Sequence, residues 1–333
     1  MEESTVKRTG AAFVRSPVVR AAAALLLVLA IGFVLNADGA FFKWATHRDM
    51  LRQVSVYGIL ACGMTLVIIA GGIDLSVGSV LGLCAVIFSM LAIHNGWPVW
   101  LAALATLAAG LVCGLLSGAV TARFRVQPFI TTLAMMVFAR GMAKWVSGGQ
   151  KVSTAVQQAD GAYRYIEVPA GFEMLNSRIL GGNIAMVTLL LCACILVCWL
   201  VLSRLRRGRY MYAIGGNEEA ARLSGVPVKA TKLLVYGLCG FFAAVAGICQ
   251  AAQELQGDPE AGASYELTAI AMVVIGGTSL MGGRGSIWLT LLGCLTIGYL
   301  EKILSINAVS EAARLMLTGV IIVGAVLFQR ERK

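Results

Sequence analysis

Charge is the scarcest commodity in this sequence. Only 13% of its 333 residues are Asp, Glu, Lys or Arg, about half the share usual in a soluble globular chain. That excludes an ordinary water-exposed surface, and no polar tract is long enough to form a separate soluble domain. Histidine is nearly absent: His47 and His94 are the only two, both near the ends of apolar runs, which leaves no zinc-protease pattern and no Ser/His/Asp set. The nine cysteines all fall inside apolar runs. Cys194 and Cys198 share a helical face but no histidine or carboxylate joins them, so they read as small buried side chains rather than metal ligands. Glycine-rich loops are present, yet none carries the lysine that a phosphate-binding loop requires. The stretch after Gly282 reads Gly283, Arg284, Gly285, Ser286. The chain is therefore expected to hydrolyse no ATP and to hold no cofactor of its own.

What remains is apolar. Hydrophobic residues make up 59% and the mean hydropathy is +0.82, which defines an all-α polytopic membrane protein. Applying a ruler of about twenty apolar residues per span predicts ten transmembrane helices, at 20–35, 54–70, 77–93, 99–121, 129–146, 184–202, 233–252, 267–280, 287–304 and 312–328. The first of them is read as an uncleaved anchor behind Lys7, Arg8 and Arg15. The net charge of +10 comes from basic residues clustered between spans without aromatic interleaving, a membrane-orientation signal and not a nucleic-acid surface. With the N-terminus inside, seventeen of the twenty-seven Lys and Arg lie on the cytoplasmic side and eight on the other. Both termini are thus expected in the cytoplasm: a tail at 1–19, a permeation domain at 20–328 and a short tail at 329–333. Within the domain, 203–232 forms a cytoplasmic loop and 147–183 an extracytoplasmic one with enough apolar content for a short ordered element.

Three features stand out against this background. The loop at 203–232 gathers Arg204, Arg206, Arg207 and Arg209, then a short helix with both ends marked. Asn217 suits its cap, Glu218 and Glu219 its positive end and Arg222 its negative end, and Gly225 with Pro227 ends it. So polar a helix protrudes into water, where it is either a plain connection or a handle for another protein. Second, two glycine turns are alike. Gly71, Gly72, Asp74, Ser76 and Gly78 follow one aliphatic run; Gly276, Gly277, Ser279, Gly282 and Gly283 follow another. Both are expected on the cytoplasmic side, as a weak internal repeat. Their paired glycines supply positive φ, with Asp74 or Ser279 capping the next helix. Asp74 is the only acid between Leu51 and Asp160, so it is either that cap or an ionisable group working at membrane depth. Third, Gly110, Gly114 and Gly118 leave a flat stripe on the fourth span for close helix packing.

The stretches 71–79, 215–226 and 275–286, with Ala139-Arg140-Gly141 and Gly148-Gly149-Gln150, resemble the ribose-type permeases of bacterial ABC importers, in one order over most of the chain. The resemblance implies a multi-pass inner-membrane subunit that imports a monosaccharide of the ribose, xylose, arabinose or galactose class. Its implied partners are an ATPase subunit that binds the ATP, a periplasmic sugar-binding protein and a second permease copy, within membrane lipid. By matching position, Asn217, Glu218, Glu219, Ala220, Arg222 and Gly225 become the ATPase-coupling residues, and the glycine turns become gating elements. Phe129, Phe138 and Trp145 are candidates for the sugar path, with lipid-facing or packed aromatics as the alternative. The rival reading is a proton- or ion-coupled carrier using Asp74 or Glu301.

Overall fold

The computed structural model describes residues 16–157 and 162–329; the predicted terminal tails therefore lie largely outside the described residues. The fold is helical, with thirteen α-helices among those residues. Each of the ten predicted spans overlaps one of them. They are α1 (Pro17–Val34), α2 (Trp44–Ile69), α3 (Val77–Ser89, extended by a π-turn at Met90–His94), α4 (Val99–Phe124) and α5 (Pro128–Ser147). After a short α6 (Ala170–Asn176) come α7 (Met186–Ser203), α8 (Arg206–Gly216), α9 (Glu218–Leu223), α10 (Val228–Glu254), α11 (Tyr265–Ile275), α12 (Ile287–Ile306) and α13 (Glu311–Gln329). Eight of the described helices are long and apolar enough to cross a membrane, and α11, at eleven residues, is not.

The core is built on α10, which is packed by α4, α3 and α2. Helices in lipid gain little from burying apolar surface against one another, so close backbone approach has to supply the contact. The glycine stripe of α4 provides it. A Cβ on Gly114 would lie 2.1 Å from the Tyr236 carbonyl oxygen, and one on Gly240 would lie 2.2 Å from that of Gly110. The stripe is thus an internal packing face.

The segment 147–183 does contain an ordered element. Helix α6 seats Phe172 in the core, stacked on Phe88 with ring centroids 4.7 Å apart. Two short antiparallel pairs flank it, β1 (Ala155–Gln157) with β2 (Tyr163–Tyr165) and β3 (Arg178–Ile179) with β4 (Ile184–Ala185). Both histidines sit at this end. The ring of His94 bonds the Ser153 carbonyl at 3.0 Å, and the Tyr299 hydroxyl meets His47 Nδ1 at 3.3 Å.

Two spans are broken. Residues 70–76 leave the end of α2 and turn back into the bundle before α3 begins. There Asp74 faces the Cys239 thiol, eleven residues into α10 and hence about 16 Å along it. Residues 255–264 come from the opposite end. This irregular strip runs down the side of α3, with Gly257 against the Ala85 carbonyl and Gly262 against Gly78, and only then does α11 start. The prediction of a span at 267–280 is corrected in this respect. The helix begins two residues earlier and ends at Ile275, because the double glycine Gly276-Gly277, with Gly277 at φ +104°, breaks it.

Candidate functional site

The polar segment at 203–232 is two helices where the sequence reading gave one. Helix α8 has polar and basic residues on its open side, while Gly208, Met211 and Ile214 are buried. Their spacing of three was the available signal, masked by the arginines around it. The side chain of Asn217 caps α9, accepting from the Ala220 N–H at 2.9 Å. Glu218 and Glu219 occupy its first turn and Arg222 its last, and Gly225 turns the chain at φ +80°. Arg222 does more than oppose the dipole. It folds back to Glu218 at 3.0 Å and to Glu219 at 2.9 Å. The second oxygen of Glu218 takes Lys232 of α10 at 2.6 Å, where the lysine is only 15% exposed. An apolar contact of Ala221 with Ile214 and Val228 seats the underside. The short helix is thus fixed to α8 and α10, while Glu219, Ala220 and Leu223 face outward.

Its seat is a meeting of three glycine elements. A Cβ on Gly215, at the end of α8, would lie 1.9 Å from the Ile69 carbonyl and 2.5 Å from the Gly283 nitrogen. A Cβ on Gly282 would lie 2.9 Å from both Gly71 Cα and Gly215 Cα. The Gly283 N–H donates to Ile69 O at 2.9 Å, and the Tyr212 hydroxyl donates to Gly285 O at 2.9 Å. Both glycine turns therefore lie at the same end of the bundle as the polar helix, against each other and against its platform. No side chain separates the three backbones, so a displacement of α8 reaches the ends of α2 and α11 directly. Behind α9 is a hollow of about 690 Å³ bounded by Arg125, Pro128, Glu218, Arg222, Lys229 and Lys232.

The predicted capping roles shift. Asp74 is 1% exposed and accepts from the Ser76 N–H at 2.9 Å and the Ser76 hydroxyl at 2.6 Å. It shapes the turn before α3; Ser76 is the residue at the cap position and makes no side-chain cap bond. Ser279 likewise closes its own turn, receiving Met281 N–H at 3.3 Å. The cap of α12 is Ser286, which accepts from Leu289 N–H at 3.3 Å. In each case the glycine turn is long enough that its polar residue closes the turn before the helix starts. Gly72 lies close to the Tyr236 hydroxyl, and Gly276 packs on the Leu289 backbone.

The other candidates lie apart from this junction. Phe129, Phe138 and Trp145 are all exposed on α5. Glu301 pairs with Arg314 at 3.6 Å and receives the Thr318 hydroxyl at 3.3 Å. Arg140 turns inward and donates to the backbone carbonyls of Pro259 and Ala261. Around the same strip, Lys144 pairs with Glu260 and Lys151 with Asp258.

Comparison with known proteins agrees with this architecture. Residues 48–326 match the family model of the branched-chain amino acid transport system permease component. The ribose import permease protein of Escherichia coli strain K12 is 40% identical over 317 residues, 93% of this chain and 92% of the relative. The corresponding ribose permease of Bacillus subtilis strain 168 is 37% identical over 309 residues, covering 92% and 91%. The fructose import permease protein of Rhizobium meliloti is 34% identical over 302 residues, covering 91% and 82%. The bundle, its broken spans and these relatives define a multi-pass membrane permease, and the chain belongs to the permease-component family that this model describes.

Proposed function

We propose that this chain is the membrane-spanning subunit of an ATP-driven importer for a monosaccharide. A separate ATPase supplies the energy, a periplasmic binding protein supplies the sugar, and a second copy of the chain completes the passage. In this reading α9 is the surface that the ATPase grips, and both termini and α9 face the cytoplasm. The observation that carries it is the seating of α9. A capped, charged helix that turns Glu219, Ala220 and Leu223 outward is pinned by Glu218 to α10 and rests on the backbone junction of Gly215, Gly71 and Gly282. Closure of the ATPase pair pushes Asn217, Glu218, Glu219, Ala220, Arg222 and Gly225 as one body. The junction passes that displacement to α2 and α11, whose glycine turns act as the gate. The chain itself makes and breaks no covalent bond.

The proton-carrier reading fares worse on the same geometry. Asp74 is engaged by its own turn and Glu301 by Arg314 and Thr318, so neither carboxylate is left to exchange protons freely along a path. Reconstitution of the chain with its ATPase and binding protein in liposomes is expected to give D-ribose uptake that needs ATP and survives an uncoupler. Uptake that runs without the ATPase, and stops with the uncoupler or with Asp74→Asn, would overturn the proposal in favour of the carrier.

A further inference from the structure

The strip at 255–264 and the helix that follows it present a problem that lipid cannot solve. Tyr265, the first residue of α11, meets Tyr57 with ring centroids 4.3 Å apart at a 41° tilt. Tyr57 lies twelve residues from the end of α2, about 18 Å along it and so close to mid-membrane. Irregular backbone at that depth requires either burial in protein or contact with water. Yet Glu260, Ala263 and Ser264 are exposed, and Ser264 stands at φ +64° with no side-chain cap bond. The opposite wall is made by the start of α3. Gly78 and Gly82 let the strip lie on the helix backbone, so that a Cβ on Gly78 would come within 2.2 Å of Gly262 O and 2.5 Å of a Glu266 carboxylate oxygen. Two broken helices, entering from opposite ends, thus begin side by side at the middle of the bundle. This is the arrangement in which transporters hold a solute.

We infer that this place is the sugar's contact site within the membrane: Glu260, Ala263 and Ser264 face a water-filled cleft, and the paired rings of Tyr57 and Tyr265 form its floor. The chemistry fits a neutral polyhydroxylated ring. The tyrosines offer aromatic faces to C–H groups, and on α10, one turn apart and bonded to each other, Gln250 and Glu254 offer an amide and a carboxylate to hydroxyls. The sugar as solute rests on the proposed function; the wet face does not.

The test uses the full-length chain with its exposed Cys192 replaced by serine, in lipid nanodiscs. Ser264→Cys is compared with Leu196→Cys on the lipid-facing side of α7, using a charged, membrane-impermeant methanethiosulfonate. Modification at 264 at least about tenfold faster than at 196 is expected, with Ala263→Cys as a second reporter if the first variant does not fold. Equal, slow modification at all three positions overturns the wet cleft. That outcome depends on neither ATPase nor sugar and is therefore separable from a failure of the importer reading. In the reconstituted importer, Tyr265→Phe keeps D-ribose uptake, while Tyr265→Ala lowers it about tenfold and leaves ATPase activity intact. Unchanged uptake in Tyr265→Ala overturns the sugar contact.

Discussion

Arg222→Glu is expected to lower sugar uptake and transport-stimulated ATPase activity roughly tenfold or more, a loss of about 1.4 kcal/mol of coupling, while membrane insertion and yield stay as in the wild type. The side chain is partly exposed, and its pairs with Glu218 and Glu219 lie within one helix. Exposed pairs of this kind contribute only about 0.3–0.5 kcal/mol each to stability. Reversing the charge puts three carboxylates on one turn, which weakens a six-residue helix but leaves the apolar seat on Ile214 and Val228 untouched. The large effect therefore has to come from what α9 presents to its partner. The double variant Glu219→Arg with Arg222→Glu separates the two causes, because it restores an internal pair with the charges exchanged. If uptake stays low in the double variant, the partner reads the charge pattern. Full recovery would mean that only the helix mattered. Wild-type uptake in Arg222→Glu alone would remove α9 from the coupling route.

Gly215→Ala carries the second large effect, although it adds a single methyl group. That methyl would lie 1.9 Å from Ile69 O and 2.5 Å from Gly283 N, inside the distance at which atoms can coexist. The backbones of α8, α2 and the second glycine turn must separate, and the Gly283-to-Ile69 hydrogen bond is strained or broken. Overpacking of this kind costs about 1–3 kcal/mol, which a bundle this size survives at reduced melting temperature. Transmission is hit harder, because the junction is a direct backbone connection between the platform of α9 and both turns. Uptake is expected to fall about tenfold more than stability alone accounts for. The neighbouring Gly216→Ala is the internal control, since nothing lies within 4 Å of a Cβ there; it should match or exceed wild-type stability, alanine being the better helix former. Equal behaviour of the two variants would show that the close approach at 215 has no part in transport.

These two residues also show what a sequence can and cannot disclose. The α9 helix was legible because capping is local: Asn217, the paired glutamates, Gly225 and Pro227 each act within a few residues. Eight of the ten predicted spans lie on helices long and apolar enough to cross a membrane, and they were legible because lipid imposes a composition on any helix that crosses it. The glycine turns could be recognised as a related pair and placed at one end, but their contact with Gly215 could not. It joins residues about seventy and one hundred and forty positions apart, and glycine leaves no pattern that names its neighbour. Helix α8 was hidden because arginine flanks a narrow buried stripe of Gly208, Met211 and Ile214. The strip at 255–264 lies between two predicted spans, and its Gln, Asp, Glu, Gly and Pro are residues common in water-exposed loops. Only the packing of Gly257 and Gly262 on α3 reveals that it descends into the bundle, and with it the pairing of Tyr57 and Tyr265. Phe129, Phe138 and Trp145 were chosen for their aromatic character within a span, a property equally suited to lipid, and all three are exposed on α5.

The most direct test of the coupling account is where α9 sits and what touches it. Glu219 is the exposed acid of that helix, with 67% of its side chain accessible. Glu219→Cys, in the background where Cys192 is serine, is expected to react with an impermeant thiol reagent only from the cytoplasmic face of sealed vesicles. It should also cross-link to the ATPase subunit, with a yield that changes when ATP binds. Labelling from the opposite face, or no cross-link in a complex that still transports, would contradict the central claim.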